Sequence, residues 1–170
     1  METNAEEIPL PAWAGKAEKF ALRVLEEIGR DGWDVSLLFC NDAYIRSLNA
    51  RYRGRDEPTD ILSFPMGETL AGEDGESRYL SGDIVISLET WVENARFFGI
   101  APDEELRRLL IHGILHLDGM DHRTNGETEP MLLLQEKILK SLTAERVLPL
   151  PGTVGGGSPS KKEKYEFWFY

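Results

Sequence analysis

Cysteine is all but missing: Cys40 stands alone in a chain of 170 residues. One thiol closes no internal disulfide and forms no CxxC pair, so a disulfide-stapled secreted fold is excluded and a reducing, cytoplasmic setting is expected. Long apolar runs are missing too. None approaches the ~20 residues that a bilayer-spanning helix needs, so no membrane association is expected. Residues 1–11 lack the basic start and apolar stretch of a signal peptide. Positive charge is in deficit, with 19 Lys and Arg against 30 Asp and Glu and a net charge of −11. That balance excludes a chain-wide, non-specific grip on a nucleic-acid backbone, while a local basic groove stays compatible with it. No internal repeat is present. Histidine is scarce as well, three in all, and the placement of those three organises the rest of the reading.

All of them fall in the stretch His112-Gly113-Ile114-Leu115-His116-Leu117-Asp118-Gly119-Met120-Asp121-His122. His112 and His116 are four apart, so on a helix they lie one turn above each other on one face and can bind one metal ion without bending the backbone. An i, i+4 pair on its own is more often a hydrogen-bonded surface pair than a metal site. Here Gly119 can take the left-handed conformation that ends a helix, and the returning chain can then present His122 to the same ion. Three protein ligands leave a fourth position for water, the arrangement of a catalytic zinc site. The spacing His-x3-His-x2-Gly-x2-His resembles the ligand frame of the metzincin proteases. Those enzymes carry a glutamate base directly after the first histidine, and here that position is Gly113.

The rest of the chain reads as one domain over 1–150, large enough for a core. Helical spacing over 12–29 places Trp13, Ala17, Phe20, Ala21, Val24, Leu25 and Ile28 on one face. A short apolar run at 35–40 has the length of a strand. Asn41 or Asp42 is positioned to cap a second helix in which Tyr44, Ile45, Leu48 and Tyr52 recur at three or four. Residues 61–64 read as a strand ended by Pro65, 67–82 as an acidic Gly-rich loop, and 83–87 as a β-branched strand. A helix over 89–98 puts Trp91, Ala95 and Phe98 on one side. Pro102 and the acids behind it open the helix that carries the histidines, apolar nearly all round over 109–117 and therefore central and buried. A last amphipathic helix spans 127–142, with Met131, Leu134, Ile138 and Leu142 inward. Residues 151–170 change character to a Gly/Ser/Pro linker and a Lys/aromatic tail.

Residues 43–55 hold Arg46, Arg51, Arg53 and Arg55 and no acid, a basic island in an acidic protein. Arginines near a helix end also serve the plain role of capping its carbonyls. With the stretch that follows, Tyr52-Arg53-Gly54-Arg55-Asp56-Glu57-Pro58-Thr59-Asp60-Ile61-Leu62-Ser63-Phe64-Pro65, with Gly82-Asp83-Ile84-Val85-Ile86-Ser87, and with the histidine motif, the chain resembles the YbeY family. These are bacterial metal-dependent endoribonucleases of ribosomal RNA maturation. The resemblance runs in order over about 35–142. It implies an α+β fold: a small mixed β-sheet of about four strands packed with helices, with a zincin-like metal site on a central helix. Since three strands are read directly, a fourth is expected before or within the first helical region. The resemblance also implies one zinc ion per chain on His112, His116 and His122, and Arg53 near it as the catalytic arginine. Its substrate would be single-stranded RNA, its process small-subunit ribosomal RNA 3′-end maturation and ribosome quality control, and its partners the ribosome or small-subunit proteins. Met120 stands where an aromatic is expected, and the tail after Pro149 has no counterpart.

The residues fit that chemistry. Zinc polarises a phosphoryl oxygen and acidifies water, and a guanidinium meets the charge that grows in phosphodiester cleavage. Arg53 is the expected catalytic group, with Arg51 and Arg55 as substrate contacts. Asp118, Asp121 and Asp60 are candidates for orienting an imidazole or the arginine loop rather than for taking a proton. Two other readings stand beside this one: a metallopeptidase-like zinc hydrolase, which Gly113 opposes, and a non-catalytic ribosome assembly factor with structural zinc, for which a closed four-ligand site would be more usual.

Overall fold

The computed structural model describes residues 10–71, 77–126 and 128–149; the tail over 151–170 lies outside the described residues. The architecture is α+β, with a three-stranded mixed sheet and five helices. In chain order these are α1 (Ala14–Glu27), β1 (Trp33–Cys40), α2 (Asp42–Arg53), β2 (Ile61–Ala71), β3 (Ser77–Ser87), α3 (Leu88–Phe98), α4 (Pro102–Leu117) and α5 (Pro130–Ser141). The sheet order is β1-β3-β2, with β1 parallel and β2 antiparallel to the central β3.

Period-two alternation sorts the strands onto two unequal cores. Val35, Leu37 and Phe39 of β1 and Ile84 and Ile86 of β3 face the larger one, packed with α1, α3, α4 and α5. Cys40, Leu62 and Val85 face a smaller one under Ile45 of α2. The α1 face is buried as its spacing predicts, and α4 buries Leu109, Leu110, Ile111, Ile114, Leu115 and Leu117. Two residues of these periodic faces stay largely exposed: Phe98 and Tyr52 lie at the last turns of α3 and α2 and are 63% and 57% exposed, although Tyr52 meets the Phe64 ring edge-on at 5.1 Å.

The strand count differs from the expectation of about four. Among the described residues there are three, and none precedes or interrupts α1. The two hairpin strands are also longer than their apolar segments. Pro65 does not end β2, because β2 is an edge strand whose missing N–H is tolerated. A register shift between Pro65 and Glu68, with Gly67 at φ 71°, carries the pairing through to Ala71 opposite Ser77. Most of the stretch read as a loop over 67–82 is therefore ladder.

Opposite Pro65 stands Gly82, at φ 143°. A Cβ there would lie 2.1 Å from the Phe64 carbonyl oxygen and 3.0 Å from Leu117 Cδ2. Leu117 follows His116, so this close approach seats the end of the histidine helix on the hairpin. Gly82→Ala is expected to cost about 1–3 kcal/mol in backbone strain, a fall in melting temperature of roughly 2–12 °C by thermal denaturation. An unchanged melting temperature would show that the hairpin relaxes without loss.

Candidate metal centre

The turn after α4 is built by two nested hydrogen bonds. Gly119, at φ 86°, donates its N–H to the His116 carbonyl at 3.0 Å, and Met120 donates to the Leu115 carbonyl at 3.0 Å. This is the Schellman ending, and the left-handed residue at its centre is the glycine that tolerates it. It sends the chain back across the His112 and His116 face. His122 arrives with its ring centroid 5.2 Å from that of His112 and 5.6 Å from that of His116. One ligand nitrogen from each of the three half-buried imidazoles lies within 4.8 Å of the others.

Each Nδ1 faces an oxygen. His112 Nδ1 lies 2.9 Å from Gln135 Oε1, His116 Nδ1 lies 3.0 Å from the Met120 carbonyl, and His122 Nδ1 lies 2.9 Å from the Thr124 carbonyl. Each imidazole therefore carries its proton on Nδ1 and keeps the Nε2 lone pair free. The Nε2 atoms of His112 and His116 are 3.0 Å apart. With both protons on the far nitrogens this is no hydrogen bond. Two lone pairs face each other, which is unfavourable unless a cation lies between them. Nitrogens at zinc distance on tetrahedral corners sit about 3.4 Å apart, so this donor set fits a small divalent ion.

Burial is the main cause that pushes the pKa of both His112 and His116 below the ordinary histidine value. The neighbouring imidazoles push the same way, against Gln135 and the Met120 carbonyl, which favour the charged ring. The sign for stability follows. Above the unfolded pKa of about 6.5 neither state binds a proton; as pH falls below it the unfolded chain protonates first and stability drops. Metal-free protein is expected to lose melting temperature on acidification from pH 7.5 to 5.5, and a His112→Leu/His116→Leu variant to lose less. Equal losses would remove these two groups from the acid response.

Gly113 sits one residue past His112 and faces the sheet. A Cβ there would come within 2.8 Å of Ile84 Cδ1 and 3.1 Å of Ile61 Cδ1. The position that holds the base in metzincins has no room here for a side chain.

The arginines behave differently from one another. Arg46 is neutralised by a two-pronged pair with Asp56, at 2.8 and 3.0 Å. Arg51, Arg53 and Arg55 are exposed and, among the described residues, pair with no carboxylate. Arg51 lies over the Tyr52 ring at 5.3 Å, and the charge of Arg53 is felt at His116, where it disfavours the protonated ring. The loop behind them is pinned by Asn49 Nδ2 donating to the Glu57 carbonyl at 2.8 Å. Asp60 helps at its far end, accepting from the Ile61 N–H at 2.8 Å and from Asn94 Nδ2 at 2.9 Å.

Asp118 pairs with Arg30 Nε at 2.6 Å, and Asp121 accepts the His122 backbone N–H at 2.8 Å. The structure thus gives the three carboxylates to backbone, amide and arginine partners, and the imidazole N–H groups to Gln135 and two carbonyls. Gln135 is the residue that sequence reasoning missed. Its signal was a polar side chain at an inward position of α5 between Met131 and Ile138, where it is buried.

The chain is similar to known proteins over most of its length. The family model described as "Endoribonuclease YbeY" matches residues 1–143. A Treponema denticola protein of that description is 49% identical over 124 residues, covering 73% of this chain and 80% of the relative. An Aquifex aeolicus protein of the same description is 44% identical over 114 residues, covering 67% and 73%. The solution structure of a Thermotoga maritima protein aligns over 89% of this chain and 95% of its own, with a TM-score of 0.53 and 25% identity.

Proposed function

The chain belongs to the YbeY endoribonuclease family, and from that membership we propose that it is a zinc-dependent endoribonuclease cleaving single-stranded RNA in ribosomal RNA processing. The observation that carries the reading is the convergence of three free Nε2 lone pairs, with the charge of Arg53, which no described carboxylate neutralises, felt at His116. His112, His116 and His122 hold the ion. When bound, zinc polarises a phosphoryl oxygen and lowers the pKa of water. Arg53 meets the charge that develops on the phosphate, as a planar fork that can give two hydrogen bonds to its oxygens. Arg51 and Arg55 hold flanking phosphates by charge, and Asn49 and Asp60 keep their loop in place. The substrate enters as a single strand bound to the small ribosomal subunit or its RNA, with 3′-end maturation and ribosome quality control as the processes served. No helix among the described residues is long and apolar enough to cross a membrane, which fits a ribosome-side role in the cytoplasm. A peptidase is disfavoured because Gly113 is packed against Ile84 and Ile61.

The test uses the full chain purified without chelator. It is expected to carry about one zinc per chain by elemental analysis and to cleave a single-stranded RNA oligomer, with duplex RNA and denatured protein left intact. Treatment with chelator should stop cleavage and added zinc restore it. Cleavage at full rate after the metal is stripped would overturn the zinc assignment, and digestion of protein with RNA untouched would overturn the substrate.

A further inference from the structure

The three ligand histidines are not oriented by the same kind of group. His116 and His122 face backbone carbonyls, which can only accept, so their protons are fixed on Nδ1. His112 faces a side-chain amide, Gln135, which has an accepting end and a donating end. Turned over, that amide would present its NH2 to Nδ1, the ring proton would move to Nε2, and the ligand lone pair would be lost.

The neighbouring side chain prevents the turn. Gln135 Nε2 donates to Glu136 Oε1 at 3.2 Å, and a carboxylate only accepts, so the turned amide would set oxygen against oxygen. Glu136 is itself held by Arg108 Nε at 2.9 Å, while the other two guanidinium nitrogens take Glu105 at 3.0 Å and Glu104 at 2.9 Å. Against the burial that would raise it, Arg108 and Gln135 keep the Glu136 carboxyl below the usual range, so it stays ionised and accepting at neutral pH.

We propose that the Arg108–Glu136 pair is a positioning device for the metal centre: it fixes the amide of Gln135 and, through it, the ring of His112 with its proton on Nδ1. This rests on the reading that the three histidines hold a metal. Neither Arg108 nor Glu136 touches a ligand nitrogen, and both act through Gln135.

Glu136→Gln keeps the shape and removes the accepting-only character. The Glu136 side chain is 43% exposed, so the fold tolerates the change. In metal-free protein, nitrogen NMR of the histidine rings is expected to show His112 protonated on Nδ1 in wild type and shifted toward the Nε2 form in Glu136→Gln. Zinc affinity, measured by competition with a chromophoric chelator, should fall about tenfold, the lower end of what partners of a ligand histidine are worth. Gln135→Glu combined with Glu136→Gln exchanges the two groups. A carboxylate then faces His112 and accepts from the new amide, so Nδ1 protonation and zinc affinity should both return. An unchanged His112 ring in Glu136→Gln, or a double variant no better than the single, would overturn the proposal. Wild-type protein that binds no zinc, although its His112 ring responds as expected, would sink the metal reading and leave the relay nothing to position.

Discussion

Replacing His116 by alanine is expected to strip the protein of its metal and abolish cleavage of single-stranded RNA while leaving the fold intact. The side chain offers one of three Nε2 lone pairs and receives orientation from the Met120 carbonyl. Structural zinc sites bind with roughly 10–16 kcal/mol spread over about four ligands, so one imidazole accounts for about 2.5–4 kcal/mol, on the order of 10²–10³ in affinity. Metal content after dialysis should therefore drop from about one ion per chain to a small fraction of that. The ring is only half-buried, and the helix end is held by Gly119 and Met120 through backbone atoms, so the metal-free variant should melt with metal-free wild type. His122→Ala is the sharper control because its ring reaches the site only through the turn at Gly119. Full metal retention there would mean that the ion sits on His112 and His116 alone.

How much of this was legible in the sequence depends on how local each cause is. The i, i+4 histidines, the helix-ending glycine and the Asn41 cap, which accepts the Tyr44 N–H at 2.9 Å, are consequences of a few neighbouring residues, and the pattern carries them. Pro65 misled because its meaning depends on strand order: in a central strand it would end pairing, at an edge it does not. The acidic stretch beyond it looked like a loop, since a ladder at a sheet's exposed end needs no apolar pattern. Asp103 looked like an ordinary acid in a first helical turn, yet it is buried and accepts the N–H groups of Val147 and Leu148 at 2.9 and 2.7 Å. Nothing within one turn of it announces a partner more than forty residues away. Gln135 belongs to the same class. It breaks the apolar stripe of α5 visibly, but only the docking of α5 on α4 shows that the break faces His112. The arginines are the intermediate case. Their clustering is written in the chain, whereas the loss of Arg46 to Asp56 and the exposure of the other three come from the path of the loop.

Arg53→Ala is expected to lower the rate of RNA cleavage by 10²–10³ with metal content unchanged. A charge-assisted hydrogen bond aimed at charge that appears only in the transition state is worth roughly 2–4 kcal/mol, which sets that range. Zinc binding is spared because an arginine is no ligand and because the three imidazoles are oriented by Gln135 and two carbonyls, none of them on α2. If anything the loss of a positive charge that disfavours protonated His116 moves that ring slightly toward its charged form, an effect visible only in acid. The loss should fall on kcat rather than KM, since Arg51 and Arg55 remain to hold the strand by charge. Lysine at position 53 should recover part of the rate, for it restores the charge without the planar fork, whereas Arg46→Ala should change little because Asp56 already neutralises that guanidinium. A variant that cleaves at the wild-type rate while His116→Ala does not would make Arg53 a helix-end residue and pass the phosphate to Arg51 or Arg55. Equal losses in Arg46→Ala and Arg53→Ala would mean that the island acts as a diffuse positive field, with no single guanidinium at the reacting phosphate.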